Sequence, residues 1–222
     1  MCINKEYSLL ALIVSWSIGG FLFYRNHNLD RWNAIFLITF ATMQLLDFIL
    51  WILHNTNNFN SLANLIISKY LIPIVLSLEL ISVYVGSELY KNGNTINGLG
   101  NKLLEDFLNP RKYYSKILLV VCIILCWFYI SRSNQTIIGK EGNLVWGNSP
   151  NQSGIWKYIT GIIFIFLLIY PYLEYANTQP IAMIIIIYLI LTLAYSFIRG
   201  SGWGSYWCWI ANFLAIIMLL DF

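Results

Sequence analysis

This sequence contains few charged residues and only two histidines. Only 10% of its 222 residues are charged, whereas soluble domains carry about 25%, so the chain could not cover a water-exposed surface with polar groups. Its two histidines, His27 and His54, lie outside the long apolar runs, which argues against a membrane metallohydrolase. A potassium-filter sequence, a Walker loop and a GxSxG elbow are also missing, and this excludes the chemistries that depend on them.

Metal-binding and carrier signatures are missing as well. Cys122 and Cys126 are four residues apart with no histidine nearby, so they form neither a zinc pattern nor an obvious disulfide. The last two apolar runs contain no lysine for an opsin-type Schiff base. Only the reversed pair Gln179-Pro180 is present in place of the proline-glutamine signature of small seven-helix carriers. No cofactor is predicted.

Long apolar runs, by contrast, extend over most of the chain. The sequence is 59% hydrophobic, with a mean hydropathy of +0.66, and its runs are long enough to cross a hydrocarbon core of ~30 Å. Because the runs show no two-residue alternation, they predict helices rather than barrel strands. The expected fold is all-α, a polytopic membrane protein whose single domain is a seven-transmembrane-helix bundle. The predicted spans are residues 7–24, 32–53, 65–90, 115–130, 157–175, 181–198 and 203–220.

The distribution of lysine and arginine predicts the orientation of this bundle. One side carries Arg25, Arg31, Lys91, Lys102, Arg111, Lys112 and Lys116, and the other carries Lys5, Arg132, Lys140, Lys157 and Arg199. We expect the richer side to be cytosolic, which puts the N-terminus outside and the C-terminus in the cytosol. The first span lacks a small-residue cleavage site, so we expect it to be retained. Glycosylation sequons at Asn134 and Asn151 fall in a loop on the predicted outer side.

Two longer loops have patterns of their own. In residues 99–108, "LGNKLLEDFL", apolar residues recur on one helical face, which predicts an amphipathic helix at the cytosolic interface. In residues 135–146, two short extended stretches flank Gly-Lys-Glu-Gly and predict a hairpin on the outer side. Both loops are compatible with simple connection or with a capping role.

Polar side chains within the spans are the candidate functional residues. An ionised group near the bilayer centre costs at least ~2.5–3.5 kcal/mol, so it has to face protein or water. Asp47 shares a helix face with Gln44 and Trp51, and Glu79 lies near the middle of its span. We predict one polar intramembrane cluster for an ion or substrate, composed of Asp47, Glu79, Asn212, Gln44, Lys69 and Glu174. The alternative is that these groups only hydrogen-bond neighbouring helices and fix their packing.

Aromatic residues are concentrated before the last span, in "RGSGWGSYWCWIAN". The glycines of this segment allow a sharp entry into the helix. Trp203, Trp207 and Trp209 would then line an outer aromatic vestibule, although an interfacial belt of tryptophans is the simpler explanation for such residues near span ends.

Asp47 carries the most specific expectation. Nothing in "MQLLDFILW" satisfies a carboxylate, so its side chain should point into the bundle and reach a polar partner. The expected partners are, in order, Asn212, Glu79 and Lys69. Glu79 would favour a proton relay, because two neighbouring acids do not both stay charged, whereas Asn212 or Lys69 would favour a structural clamp.

Short patches of the chain resemble small multi-span membrane proteins of giant DNA viruses. These patches are Met1-Cys2 leading into Ser8 and a span, Met43-Gln44 followed by Asp47, and Trp207-Cys208-Trp209. The resemblance implies a membrane context and assigns neither an activity nor a site residue.

Three classes of function remain open. The first is a small transporter or channel in which Asp47 and Glu79 bind or relay a cation, a proton or a polar solute. The second is a structural or host-modulating membrane protein in which the acids only pack helices. The third is an intramembrane lipid-modifying enzyme with the same acids as general acid and base. The lipid bilayer is the expected partner, no nucleic acid is expected, and the substrate and oligomeric state stay open.

Overall fold

The structure, a computed structural model, describes residues 4–110, 113–132, 135–139, 142–146, 155–176, 179–199 and 207–219. Over these residues the chain forms eight helices and one hairpin. The helices are α1 (Lys5–Arg25), α2 (Asp30–Asn55), α3 (Leu62–Lys91), α4 (Leu99–Leu108), α5 (Tyr114–Arg132), α6 (Ile155–Tyr175), α7 (Pro180–Arg199) and α8 (Trp207–Leu219). The strands are β1 (Ile137–Ile138) and β2 (Leu144–Val145). The sequons at Asn134 and Asn151 lie outside the described residues.

Three of these helices, α1, α2 and α3, are long and apolar enough to cross a membrane. The other apolar helices include the shorter described stretches Tyr114–Phe128, Gly161–Tyr175 and Pro180–Thr192. The protein is therefore mostly helical, with three candidate membrane-spanning helices. The number of seven spans and the orientation of the termini stay predictions.

Small residues bring α1 and α2 close together. Ser8, Ala11, Ser15 and Gly19 recur on one buried face of α1. A Cβ atom added to Gly19 would lie 2.7 Å from Cγ1 of Ile38 on α2, so only glycine permits this approach. Helices in lipid associate through such close contacts because the solvent gives them no hydrophobic driving force.

α3 is not a uniform α-helix. Its first turn, Leu62–Ile66, leads into a π-helical turn, Ile67–Leu71, and the regular helix resumes over Ile72–Lys91. Pro73 has no N–H to donate to the preceding turn, and a wider turn before it accommodates that loss. Such π turns re-aim side chains, and here the turn carries Ser68 into the interior.

The core of the bundle lies among α2, α3, α6, α7 and α8, which contact one another in a closed circuit. α1 packs outside this circuit against α2 and α8, and α5 packs against α3. Large apolar side chains fill the centre, among them Phe40 of α2, Leu168 of α6 and Leu214 of α8, all nearly inaccessible.

α4 coincides with the segment for which an interfacial helix is predicted. Leu104 and Leu108 are exposed, whereas Asp106 on the other face is buried. Lys116 of α5 donates to the Asn109 carbonyl oxygen at 2.7 Å and fixes the end of the helix. The location of α4 at a membrane surface stays a prediction.

Candidate functional site

Asp47 points into the bundle and is covered by the hairpin. Gln44, Asp47 and Trp51 share one face of α2 and are all buried. The Asp47 Oδ1 atom accepts a hydrogen bond from the indole Nε1 of Trp146 at 2.8 Å. The other carboxyl oxygen, Oδ2, is enclosed and accepts no hydrogen bond from the described residues. The carboxyl group is therefore only half satisfied.

The hairpin that brings Trp146 to this position is short and tight. Ile137 pairs with Val145 and Ile138 with Leu144 in antiparallel register. The turn closes through Gly139 N–H to the Asn143 carbonyl oxygen at 2.7 Å. Gly142 has a φ of 70°, a conformation that glycine adopts without a steric penalty. Trp146 follows directly after β2, so the pairing fixes the side of the hairpin from which it projects.

Thr136, just before β1, anchors the hairpin to the start of α3. Its N–H donates to Asn64 Oδ1 at 3.0 Å and to Ser68 Oγ at 2.9 Å. Asn64 Nδ2 donates in return to the Thr136 carbonyl oxygen at 3.0 Å, and the two hydroxyl groups of Ser68 and Thr136 lie 2.8 Å apart. All three residues are buried. We call Asn64, Ser68 and Thr136 the hairpin anchor.

Glu79 is also buried, but it does not meet Asp47. The hydrogen bond and electrostatic contacts of Asp47 do not include Glu79, so the two acids do not form the neighbouring pair expected of a shared-proton relay. Near Glu79, Ser82 donates to the Glu79 carbonyl oxygen at 2.7 Å and receives a hydrogen bond from Thr39 at 2.8 Å. Through its backbone carbonyl group, Glu79 therefore belongs to the polar contact between α2 and α3.

The remaining predicted site residues are dispersed. Lys69 is half-buried in the π turn and is not a partner of Asp47 in the described part of the chain. Asn212 is half-buried on α8, with its Oδ1 enclosed. Glu174 is exposed at the end of α6, where the hydroxyl groups of Tyr170 and Tyr175 hydrogen-bond to it.

The predicted aromatic vestibule involves three tryptophans around the start of α8. Trp203 and the side chains of Trp207 and Trp209 lie outside the described residues. The vestibule therefore stays a prediction.

A second polar region, at the other end of the bundle, was not predicted. Asp30 is fully buried and accepts from Arg25 Nε and Nη2, both at 2.7 Å, and from the His27 N–H at 2.8 Å. Arg25 also donates to the Leu219 carbonyl oxygen at 3.3 Å, which ties the first loop to α8. In the sequence, the signal for this ion pair was the five-residue spacing of the opposite charges Arg25 and Asp30 around the short first loop.

The end of α3 carries a further ion pair in this region. Lys91 bonds to Glu88, and its ammonium group lies 3.6 Å from the centre of the Tyr175 ring. The Glu88 carboxyl group also lies beside the Asp106 carboxyl group of α4. These contacts hold α4 and α6 against the end of α3.

Aromatic rings join α2 to α6 near the same end. The Trp32 ring stacks on the Tyr172 ring, with centroids 4.3 Å apart. The Tyr172 hydroxyl donates to Asn33 Oδ1 at 2.9 Å. A Cβ atom added to Gly86 of α3 would lie 2.4 Å from Trp32 Cδ1, so glycine makes room for the indole.

Comparison with protein-family models, with curated proteins and with solved structures finds no match to this chain. The apolar helices define a membrane-protein class, and any more specific function rests on the residues themselves.

Proposed function

We propose that this protein is a seven-helix integral membrane protein that moves a small cation or a proton, with Asp47 as the binding carboxyl group. The observation that carries the proposal is the state of Asp47. It is buried, one oxygen is held by a neutral donor of the hairpin, and the other oxygen accepts nothing from the described residues. In the described part of the chain, no lysine or arginine side chain forms an ion pair with Asp47. A buried carboxyl group without such a pair is suited to bind and release a cation or a proton.

The outer faces of the helices support the membrane part of the proposal. On α5, Ile123, Ile124 and Trp127 are 59%, 57% and 64% exposed, and on α7 Leu191 is 61% exposed. Continuous apolar surface of this kind is unfavourable in water and is covered by lipid in a membrane. We propose that α1, α2, α3, α5, α6, α7 and α8 are the seven spans, with the N-terminus outside. The hairpin then lies on the outer side, because it follows α5.

In this arrangement the hairpin covers the outer entrance to Asp47. A cation or proton that passes the hairpin from that side reaches Asp47, whose enclosed Oδ2 atom accepts no hydrogen bond from the described residues. Gln44, one helical turn further in, and Glu79 on α3 then provide polar groups deeper in the bundle. Trp146 is a positioning residue, since its indole holds the carboxyl group and covers it.

The direct experiment is an ion-flux assay in proteoliposomes. Asp47→Asn keeps the acceptor for Trp146 and removes the charge, so we expect flux to fall at least tenfold while yield and thermal stability in detergent stay close to wild type. Glu105→Gln is the matched control, because Glu105 is exposed on α4. Cation and proton gradients are imposed separately to distinguish the two substrates.

The same contact also favours a second function, a structural clamp that holds the hairpin to the bundle. In that case Asp47→Asn lowers thermal stability or yield, and purified wild-type protein carries no ion above empty liposomes. Unchanged flux in Asp47→Asn would equally contradict the transport role.

A further inference from the structure

Two hydrogen-bond donors near the start of α2 are enclosed without an acceptor. The Trp32 indole Nε1 and the Asn33 side-chain Nδ2 belong to residues that are 0% exposed, and neither atom bonds to any described residue. Buried donors in native proteins are nearly always satisfied, and ordered water or a ligand accounts for most apparent exceptions.

Both residues contact Tyr172. The Tyr172 ring stacks on Trp32, and its hydroxyl bonds to the Asn33 amide oxygen at 2.9 Å. Tyr172 therefore satisfies only one of the two polar atoms of the Asn33 amide. An indole nitrogen is a donor and never an acceptor, so a partner of Trp32 Nε1 has to accept a hydrogen bond.

The surroundings of these donors favour an uncharged acceptor. A cation is disfavoured, because an N–H donor repels it. An anion would need a positive partner, and the described cations at this end of the bundle are engaged elsewhere. Arg25 pairs with Asp30, and Lys91 pairs with Glu88. Arg31 donates to the carbonyl oxygens of Phe23 and Asn94. The ring neighbours of Trp32 are Tyr90 and Tyr172, which carry no positive charge.

We propose that Trp32, Asn33 and Tyr172 form a buried site for an uncharged hydrogen-bond-accepting oxygen, supplied by water or by a small polar solute. The site lies on the same buried face of α2 as Asp47, because Asn33, Leu37, Phe40, Gln44 and Asp47 are spaced alternately four and three residues apart. At 1.5 Å per residue, Asn33 and Asp47 are about 21 Å apart along the helix. Leu37 and Phe40 separate the two polar ends. The site does not depend on ion binding at Asp47.

Nuclear magnetic resonance of the indole N–H groups tests the proposal in the full-length protein in detergent micelles. Trp32→Phe assigns the Trp32 signal by its disappearance, and Trp127→Phe, an exposed indole on α5, is the control that leaves that signal unchanged. We expect a cross-relaxation peak between the Trp32 indole proton and water, despite the complete burial of the side chain. Asn33→Leu should remove this peak or reduce it several-fold.

Titration with acetamide, which carries one acceptor carbonyl, distinguishes the two sources of the oxygen. A saturable shift of the Trp32 signal that Asn33→Leu abolishes identifies a solute site. A water peak without an acetamide effect identifies water as the occupant. Absence of both the water peak and the acetamide shift in the wild-type protein would show that the donors face a dry, empty space and would overturn the proposal, whether or not Asn33→Leu folds.

Discussion

Replacing Asn64 by leucine should release the hairpin from the bundle. Asn64 Nδ2 donates to the Phe59 carbonyl oxygen at 2.7 Å and to that of Thr136 at 3.0 Å, while Oδ1 accepts from Thr136 and from Ser68. Leucine has the same branched skeleton of four side-chain heavy atoms and none of these polar atoms. The substitution therefore removes four hydrogen bonds without creating a large cavity.

The magnitude follows from what each partner retains. The Thr136 N–H keeps its bond to Ser68 Oγ, and the Ser68 hydroxyl keeps its bond with the Thr136 hydroxyl. The loss at these two groups is therefore small. The carbonyl oxygens of Phe59 and Thr136 lose the bonds from Nδ2, and an unsatisfied buried group costs about 1–3 kcal/mol. We expect the hairpin to open more easily by about 2–4 kcal/mol, which corresponds to about a 30- to 1000-fold change in the opening equilibrium.

Hydrogen exchange of the hairpin amides measures this opening directly. The Gly139 N–H, which closes the turn, should lose protection by that factor, while the amides of α1 stay protected. Asn60→Leu is the control, since Asn60 is an exposed asparagine in the same loop as Phe59. Wild-type protection of the hairpin in Asn64→Leu would refute the assignment of Asn64 as an anchor.

Two further substitutions test the packing elsewhere. Gly86→Ala places a methyl group 2.4 Å from Trp32 Cδ1 of α2 and should lower the free energy of unfolding by about 1–3 kcal/mol. Gly20→Ala is its control, because nothing lies within 4 Å of the added atom. This control should leave the melting temperature unchanged or raise it. Asp30→Asn leaves Arg25 without its buried carboxylate and should cost about 3–5 kcal/mol, while Glu6→Gln, in an exposed pair, should change thermal stability by less than about 0.5 kcal/mol. Equal melting temperatures for either pair of variants would contradict the packing described.

The helices were predictable from the sequence because apolar composition marks them directly. The runs at residues 32–53 and 65–90 coincide with α2 and α3, whose bounds are Asp30–Asn55 and Leu62–Lys91. Within these helices, the inward face of α2 was also predictable, since Gln44, Asp47 and Trp51 recur at helical spacing. The π turn was not predictable, because Pro73 indicates that the helix is interrupted but not which kind of turn replaces the regular helix.

The partner of Asp47 could not be predicted from local patterns. Trp146 is 99 positions away along the chain, in a loop whose docking depends on the contact between Asn64 and Thr136, 72 positions apart. The expected partners, in order Asn212, Glu79 and Lys69, are all polar residues within the apolar runs themselves. Two neutral residues of α3, Asn64 and Ser68, are four residues apart on one face and bond to Thr136. They hold the hairpin that brings Trp146 to Asp47. The four-residue spacing of Asn64 and Ser68 was the signal in the sequence for a polar contact on this face of α3.

Two aspartates on α2 show why burial alone does not assign a role. Asp30 and Asp47 are 0% and 1% exposed, yet Asp30 accepts two bonds from a guanidinium and one from a backbone N–H, whereas Asp47 accepts a single bond from a neutral indole. A carboxylate that serves only to fix helices gains most from full pairing, as at Asp30, because each unsatisfied oxygen is costly in an apolar interior. The incomplete pairing of Asp47 opposes stability, and departures of this kind concentrate where a protein binds or moves something. The difference between the two sites is therefore the reason to assign structure to Asp30 and to search for function at Asp47.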